Sequence, residues 1–496
     1  DSESHVYRYF FSRELSAEWQ SSERYPGASE IRAYLDYVAR KLDLRRDIQF
    51  GTRVVAARYD EGANRWTIET ESGARMSATW LVTAVGCLSA ANVPDIPGLR
   101  DFRGKWYHTG QWPREGVDFS GKRVGQIGTG STGIQSAPVI AQTAAHLTVF
   151  QRTANYSVPA RTAPLTAEFN HWVRENFEEL RDATRSTING HAFRIAERNV
   201  ADVSPEQREE IYRAAWEKGG LQFRATFRDV MTSRAANQTM AEFVKARIRE
   251  VVSNPEVAAD LADIDHPYAA KRPPIDTEYF ETFNRPNVSL VNLRKDPIER
   301  IAPQGIRTKS GEHKLDIIVF ATGFDAITGP LLRMNIRGRG GRLLREDWKA
   351  GPRTYLGLQM PGYPNLFTIT GPGSPSVLTN MPVAIEQHVE WITGCIAHMR
   401  EYGIRAIEAS EEATRAWGEH VQECARATLL WDAKHSWYFG ANVKGKPQVF
   451  MPYAGGLARY RRTCEGIAAR GYEGFVLDRE GARQFSGAAA TALPGV

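Results

Sequence analysis

The residues with the clearest capacity for chemistry form a glycine pattern, Gly128-x-Gly130-x-x-Gly133, between a β-type run at 122–127 and a segment with helical spacing at 134–145. In a strand–turn–helix unit of this kind, the first glycine permits a tight turn and the second lets the backbone approach a pyrophosphate. The third lets the helix pack on the strand, and the helix N-terminus offers its positive dipole end to the phosphates. The pattern alone also fits a glycine-rich loop without a ligand, but its context on both sides favours a dinucleotide site.

The strand after this helix indicates which dinucleotide is bound. Residues 147–150 form a compact apolar run that is followed by Gln151, Arg152 and Thr153. An NAD site usually carries an acidic residue at this point for the ribose 2′-hydroxyl, whereas an arginine suits the 2′-phosphate of NADP. Arg152 followed by Thr153 therefore predicts a preference for NADP.

Composition sets broad limits on the class of protein. The chain has 496 residues, 42% hydrophobic and 24% charged, which is ordinary for a globular protein of two or more domains. The net charge of +5 is small and no basic cluster has interleaved aromatics, so nucleic-acid binding is not expected. The four cysteines form neither a metal pattern nor a redox pair, which predicts no metal site and a reduced, cytoplasmic environment. No apolar run reaches membrane-spanning length, so no membrane association is expected.

Two halves of the chain repeat one order of elements. In each half, short β-type runs separated by turns, at 54–78 and 288–314, lead into an apolar strand that ends in glycine, at Gly86 and Gly323. The glycine pattern precedes the second half only. We therefore expect a strand, a glycine turn and a helix, on the order of 30 residues or more, ahead of Asp1. The alternative is that the first half never carried a nucleotide site.

Other segments predict secondary structure. The apolar residues of 29–44 recur at helical spacing, and 48–55 resembles a strand. Between Arg152 and Val288, charged stretches with helical spacing predict a helical insertion that caps a cleft. This insertion contains Lys271-Arg272-Pro-Pro, a rigid and cationic turn.

The segment ahead of the glycine pattern is more specific than the glycines. Phe102-x-Gly104-x-x-x-His108-x-x-x-Trp112-Pro113 resembles the fingerprint of the Baeyer–Villiger monooxygenases, flavoenzymes that convert ketones to esters or lactones. Related N-hydroxylating and flavin-containing monooxygenases carry a similar segment, but the Trp-Pro ending favours the Baeyer–Villiger type. The resemblance extends from position 1 to about 478 and points to the branch of the phenylacetone and steroid monooxygenases. It includes three further segments, at 321–325, 371–375 and 436–442.

The resemblance implies an α/β fold with two Rossmann-like dinucleotide-binding domains, for FAD and NADP, and a helical insertion at about 158–285. The expected boundaries are 1–87 for the first part of the FAD domain, truncated at its start because its N-terminal βαβ unit is missing, and 88–324 for the NADP domain. Residues 325–496 are expected to form the second part of the FAD domain, with active-site loops and a tail.

The resemblance also implies a mechanism. NADPH reduces FAD, the reduced flavin captures O₂ as a C4a-peroxide, and the deprotonated peroxide attacks a ketone and inserts one oxygen atom next to its carbonyl. Arg272 matches the family arginine beside the flavin, whose fixed charge favours the anion in a low-dielectric site. Asp1 matches the carboxylate that positions this arginine. By its residue type alone, Arg272 is expected at the surface.

His108 and Trp437 likewise have two interpretations. A solitary histidine is usually structural, and a tryptophan usually belongs to a core. By resemblance, His108 couples NADPH binding to domain movement, and Trp437 contacts NADP at the border of the substrate pocket. Lys271 is expected to share the 2′-phosphate with Arg152. The remaining expected contacts are Thr129, Ser131 and Gln135 at the pyrophosphate loop, Tyr7 and Val54 at the flavin, and Ser376, Val377, Leu378 and Met381 around the ketone.

Three functions follow from these observations. We expect NADPH- and O₂-dependent oxygenation of bulky apolar ketones, with arylketones and steroids as candidates, by a monomer or weak oligomer. One alternative is an N- or S-oxygenating flavin monooxygenase, which differs only in its substrate. The other is an NADP-binding module without catalysis, suggested by the missing first glycine pattern.

Overall fold

The computed structural model describes residues 2–479 and, for the backbone only, the strand Ala482–Phe485. Asp1, one of the predicted catalytic residues, lies outside the described residues, as does most of the predicted tail.

Runs of consecutive strands and runs of consecutive helices follow one another along the chain. The strands are β1 Val54–Asp60, β2 Arg65–Thr70, β3 Arg75–Ala78, β4 Leu81–Thr83, β5 Lys105–His108, β6 Arg123–Ile127, β7 His146–Gln151, β8 Val158–Pro159, β9 Ile275–Asp276, β10 Val288–Asn292, β11 Ile298–Ala302, β12 Gly305–Thr308, β13 Gly311–Lys314, β14 Ile317–Phe320, β15 Asn335–Arg337, β16 Leu366–Thr368, β17 Ile404–Ala409, β18 Phe475–Arg479 and β19 Ala482–Phe485. The helices are α1 Arg13–Glu18, α2 Ala28–Lys41, α3 Ser131–Thr143, α4 Ala167–Glu175, α5 Phe177–Ser186, α6 Pro205–Lys218, α7 Arg234–Val251, α8 Pro255–Ala262, α9 Tyr279–Thr282, α10 Gly329–Leu332, α11 Leu344–Asp347, α12 Met381–Glu401, α13 Glu411–Arg426 and α14 Leu457–Ala469.

One parallel sheet, with the strand order β10-β7-β6-β14-β5, is termed here the nucleotide sheet. In its register, Phe320 pairs with both His108 and Ile127, and Ile127 also pairs with Phe150. The carboxyl ends of these strands therefore meet at one edge. In an open α/β sheet, this is the edge that binds ligands.

The nucleotide sheet is covered on both faces, which explains the apolar runs that predicted its strands. Helix α3 covers one face and buries Ile134 and Ile140 in the same cluster as Leu147. The antiparallel sheet β11-β12-β13 covers the other face, where Ile301 packs in a cluster with Phe320. Burial of each large aliphatic side chain contributes about 1.5–3 kcal/mol, so both coverings stabilise the sheet substantially.

The strands before and after the nucleotide sheet pair with each other. Strands β1, β2 and β3 form an antiparallel meander, and β15 adds to β1 in parallel. Strand β4 pairs in parallel with β16. The chain thus leaves this second region after β4 and returns to it at β15. The domain boundaries at 87 and 324 stay a prediction.

The segment between β8 and β9 is helical. Helix α7 buries Met240 and Val244 in the cluster that also contains Leu147 of the nucleotide sheet. Phe177 of α5 packs instead in a cluster with Trp391 of α12 and Tyr460 of α14. The helical insertion therefore joins two hydrophobic cores.

The predicted strand at 48–55 is wrong over most of its length. Strand β1 begins at Val54, and the side chains of Ile48 and Phe50 are 49% and 64% exposed in a loop. Gly51 has a φ of +65°, a left-handed turn that interrupts the extended backbone. The helix predicted at 29–44 is confirmed as α2.

Within the described residues, no helix combines the length and the hydropathy needed to cross a bilayer. All four cysteines are buried as free thiols. No group of three or more His, Cys, Asp or Glu side chains in this part of the chain could hold a metal ion.

A buried carboxyl group ties the start of the chain to α12. Glu386 accepts hydrogen bonds from the backbone N–H groups of Phe10, at 2.5 Å, and Phe11, at 3.3 Å. Burial raises the pKa of Glu386 to about 7, and these hydrogen bonds oppose the shift only in part. Because the folded-state pKa lies above the unfolded value, this group stabilises the fold fully below the unfolded pKa, and the contribution is lost as pH rises through about 7.

Glu386→Gln is therefore expected to stabilise the protein at about pH 8, by on the order of 3 kcal/mol or less, and to have little effect near pH 5. Glutamine keeps the acceptor oxygen without the charge. Thermal unfolding across this pH range measures the difference, and the exposed Glu401→Gln on the same helix serves as the control. An equal shift of the two variants at every pH would contradict the assignment.

Candidate functional site

The glycine loop between β6 and α3 has the geometry of a pyrophosphate cradle. Gly128 has a φ of +112°, and a Cβ there would lie 2.4 Å from the carbonyl oxygen of Ala321. A Cβ at Gly133 would lie 2.2 Å from the carbonyl oxygen of Gly128. A Cβ at Gly130 would meet nothing within 4 Å. The outer glycines are thus required by the protein, whereas Gly130 faces open space at the N-terminus of α3, where a phosphate would be bound.

Because only Gly128 is tightly packed against the protein, alanine at Gly130 and alanine at Gly128 are expected to impair different properties, coenzyme binding in the first case and stability in the second. Gly130→Ala is expected to fold normally, because its φ of −79° suits any residue, but to raise the KM for NADPH by about tenfold or more, because the methyl group occupies phosphate space. Gly128→Ala is expected to destabilise the fold by more than about 2 kcal/mol, because it combines a clash with a left-handed φ. Melting temperature and calorimetric binding of NADP⁺ separate the effects. A destabilised Gly130→Ala that binds NADP⁺ normally would refute this account.

Two cations lie together beyond the end of β7. Arg152 directly follows this strand and is exposed. Lys271 lies near it, since burial lowers the pKa of Lys271 and the charges of Arg152 and Arg294 lower it further. Asp265 opposes this shift from 4.0 Å. The pair can hold a dianion such as a 2′-phosphate, which would balance the repulsion between the two cations.

The turn that carries Lys271 continues directly into a cavity. Arg272 and Pro273 line this cavity, which has a volume of about 210 Å³. It lies between the helical insertion and the short 3₁₀ helix Ser376–Leu378 that precedes α12. Most of its lining is aliphatic or aromatic, with Met231 and Leu430 as examples. The structure therefore places Lys271, one of the two residues predicted to bind the 2′-phosphate, next to Arg272 and Pro273 of the apolar pocket on one turn.

The predicted ketone-pocket residues are close together but differ in their exposure to this cavity. Val377 and Leu378 line it. Ser376 is buried and its hydroxyl has no hydrogen-bond partner within the described part of the chain. Met381, at the start of α12, packs at the edge of the hydrophobic cluster that contains Val377. Their role with substrate stays a prediction.

His108 lies at the junction between the nucleotide sheet and the returning chain. It is buried, its Nδ1 accepts the backbone N–H of Gly110 at 3.0 Å, and its ring packs edge-on against Phe324. Burial lowers the pKa of His108, and the backbone groups of Gly323 and Asn92 oppose that shift. A neutral ring at this junction suits a positioning role. The predicted coupling of coenzyme binding to domain movement stays a prediction.

Three other predicted cofactor residues, Thr129, Ser131 and Gln135, lie on the glycine loop and the first turns of α3. Thr129 donates its hydroxyl to the carbonyl of Thr153 at 2.9 Å and so fixes the glycine loop to the end of β7. Ser131 begins α3, and the side-chain amide of Gln135 donates to the carbonyl of Ile275 at 3.0 Å.

Trp437 is another predicted cofactor residue that adjoins the cavity lining. It precedes Tyr438, which lines the cavity, and the two rings are 4.6 Å apart.

The predicted flavin contacts lie on separate elements. Tyr7 follows a short 3₁₀ helix at the start of the chain, whereas Val54 begins β1 in the sheet with the strand order β15-β1-β2-β3.

Several polar residues of the cavity were missed by sequence reasoning. Arg224, Asn189 and His191 all line it together with Arg272. Each lies outside any motif, in an irregular part of the helical insertion, so no local spacing could have identified them.

Among the described residues, the glycine loop before α3 is the one loop with the Gly-x-Gly-x-x-Gly pattern. The Gly-x-Gly-x-x-Gly pattern occurs once in the sequence, and residues 2–479 contain no second loop of that pattern for the pyrophosphate of FAD.

Comparisons with known proteins agree with this geometry. A family model described as flavin-binding monooxygenase-like matches residues 15–180. The chain is 43% identical over 483 residues to a Baeyer–Villiger monooxygenase of Pseudooceanicola batsensis, covering 97% of this chain and 87% of that protein. It is 41% identical over 480 residues to a phenazine N-monooxygenase of Lysobacter antibioticus, covering 96% and 88%. A solved structure of an oxidised steroid monooxygenase bound to NADP is 47% identical, with a TM-score of 0.91 over 98% of this chain and 90% of that one.

The fold and the site thus define a flavin-dependent monooxygenase with an NADP-type nucleotide sheet. The chain belongs to the Baeyer–Villiger monooxygenase family. It is an oxidoreductase, and the interpretation as an NADP-binding module without catalysis is set aside.

Proposed function

We propose that the protein uses FAD and NADPH to oxidise ketones by the Baeyer–Villiger reaction. A ketone, O₂, NADPH and a proton give an ester or lactone, NADP⁺ and water, so one oxygen atom enters the C–C bond beside the carbonyl and the other leaves as water. The observation that carries this proposal is the turn at 271–273. Its Lys271 would bind a phosphate of the coenzyme, and its Arg272 lines the apolar cavity.

FAD, when bound, supplies the chemistry that activates O₂. Arg272 contributes a fixed positive charge to the cavity, where the apolar lining keeps the effective dielectric constant low. Such a charge stabilises an anion that develops in the transition state by several kcal/mol without reorganisation of solvent. Val377 and Leu378 support the hydrocarbon part of the ketone and exclude water. The aliphatic and aromatic lining of the cavity supports bulky apolar ketones such as arylketones or steroids.

A second candidate is oxygenation of a ring nitrogen. The similarity to the phenazine N-monooxygenase motivates it, since that relative covers nearly the whole chain. The two reactions share the coenzyme and differ in the acceptor atom, so product analysis separates them.

The experiment is turnover of the purified, FAD-loaded full chain with NADPH and ¹⁸O₂. An arylketone, a steroid ketone, a phenazine and an aryl sulfide are offered separately, and products are identified by mass spectrometry. One labelled oxygen in an ester supports the proposal. NADPH oxidation without any ester from any ketone would refute it, and a labelled N-oxide alone would select the second candidate.

Two further properties are proposed. We infer a cytoplasmic protein, supported by four cysteines that are all free thiols. We also infer a monomer or weak oligomer that binds neither nucleic acid nor membrane, supported by the small net charge and the absence of a basic aromatic cluster in the sequence.

The boundaries at 87 and 324 are proposed as the domain limits, supported by the parallel pairing of β1 with β15 and of β4 with β16.

A further inference from the structure

The cavity beside Arg272 has an excess of basic side chains. Two further arginines line it: Arg224 and the exposed Arg228, whose Nε donates to the side-chain oxygen of Asn199 at 3.3 Å. The histidine His191 lines it as well. None of the described residues that line it is an aspartate or a glutamate. Arg224 is thus a guanidinium group in a mostly apolar lining that contains no described carboxylate, whereas buried charges in proteins are normally paired.

Arg224 is held in place by its backbone. It lies in the short 3₁₀ helix Leu221–Ala225, where its neighbours Phe223 and Ala225 are buried. Within the described residues, its guanidinium takes part in no hydrogen bond and no ion pair. Burial lowers the pKa of Arg224, and the charge of Arg272 lowers it further. An arginine nevertheless stays protonated in proteins, so this side chain presents a charge and five N–H donors to the cavity.

Asn189 adds an unsatisfied donor to the same cavity. Its side chain is 2% exposed, and its Oδ1 accepts the backbone N–H of His191 at 3.2 Å. This contact fixes the amide, and its Nδ2 has no hydrogen-bond partner in the described part of the chain. Buried polar groups of this kind are nearly always satisfied in native proteins, so an unpaired donor facing a cavity indicates a ligand with an acceptor.

His191 is an uncharged member of the cavity lining. Burial lowers its pKa to about 3, and the charges of Arg224 and Arg272 act in the same direction. The ring is therefore neutral at physiological pH and adds no further positive charge to the cavity. The field in the cavity favours a group that carries a negative charge itself.

We propose that Arg224, assisted by Asn189, binds a carboxylate on the ketone substrate. The inference rests on the proposed function and narrows its substrate class to oxo acids, in which an apolar chain or ring joins the ketone to a carboxylate. The aliphatic and aromatic lining holds the connecting hydrocarbon. Arg272 then faces the carbonyl, and Arg224 forms a charge-assisted, bidentate pair with the carboxylate.

The experiment compares 7-oxooctanoate with its methyl ester, which has the same ketone and no charge. With wild-type holoenzyme, kcat/KM for the acid is expected to exceed that for the ester by roughly 30-fold or more, because loss of one partner of a buried charge pair has an effect of this size. Arg224→Met is expected to abolish this preference through the KM of the acid, while oxidation of the ester persists. Arg213→Met removes an exposed arginine of the same insertion, paired with Glu209, and is expected to keep the preference.

Calorimetric binding of both compounds to the oxidised enzyme with NADP⁺ provides a readout without turnover. Tighter binding of the acid that Arg224→Met removes supports the proposal. Equal binding of acid and ester by wild type, or a preference that Arg224→Met retains, overturns it. A higher KM for NADPH in Arg224→Met with the acid preference intact also overturns it, since the arginine would then serve the coenzyme. If no ketone is oxygenated, the proposed function fails while calorimetry still decides the carboxylate site.

Discussion

Arg272→Ala is expected to abolish ester formation while NADPH still reduces the flavin. The guanidinium lines the cavity and is the charge assigned to stabilise the anion during oxygen transfer. Removal of one preorganised donor to a developing anion typically lowers kcat by about 10²–10³-fold, and the loss should be at least that large here. Hydride transfer from the coenzyme does not require this anion, so anaerobic bleaching of the flavin absorbance by NADPH should stay within a few fold of the wild-type rate.

The measurement combines anaerobic stopped-flow absorbance with product analysis in air. Arg234→Ala is the control, because Arg234 is exposed and pairs with Asp432 at the surface. If Arg272→Ala slowed flavin reduction and ester formation equally, the arginine would serve the coenzyme or the fold, and the assignment would be wrong.

Loss of Lys271 or Arg152 is expected to remove the preference for NADPH over NADH. The two cations lie close enough for the charge of Arg152 to lower the pKa of Lys271, and a 2′-phosphate between them would offset that repulsion. Either substitution by alanine should raise the KM for NADPH by about 10–100-fold, as expected for a lost charge-assisted contact. The KM for NADH should change little, because NADH carries a 2′-hydroxyl.

Steady-state kinetics with both coenzymes measure this directly, and NADH is the internal control. Lys295→Ala provides a second control, since Lys295 is exposed and pairs with Asp260 near the same sheet. A proportional loss with NADPH and NADH would show that the residues position the nicotinamide or the loop rather than the phosphate.

Local features of the chain predicted the nucleotide sheet well. The spacing of Gly128, Gly130 and Gly133 encodes a tight turn, an open approach and a close helix contact, and each glycine occupies its position for that reason. The apolar runs of β7 and β14 are continuous because both faces of the sheet are covered. Such patterns are readable from the sequence because one residue's environment is set by its near neighbours.

The charges of the cavity could not be predicted in this way. Arg224 follows a pair of glycines in an irregular segment, and only the packing of the helical insertion brings it beside Arg272. Asn189 and His191 belong to a third segment with no regular element. The prediction of a strand at 48–55 was wrong for the same reason. A run of residues that favour β-structure does not show whether a partner strand lies beside it.

The burial of the thiols has a consequence for the working life of the catalyst. Burial raises the pKa of all four cysteines, in the case of Cys464 to about 12. The thiolate is the form that oxidants attack, so these residues stay protonated and shielded at neutral pH. A protein that brings O₂ and a strong reductant together in every cycle therefore presents no accessible cysteine sulfur to the oxidants it can release. Its inactivation during long reactions should follow the rate of unfolding, and added thiol reductants should not extend its lifetime.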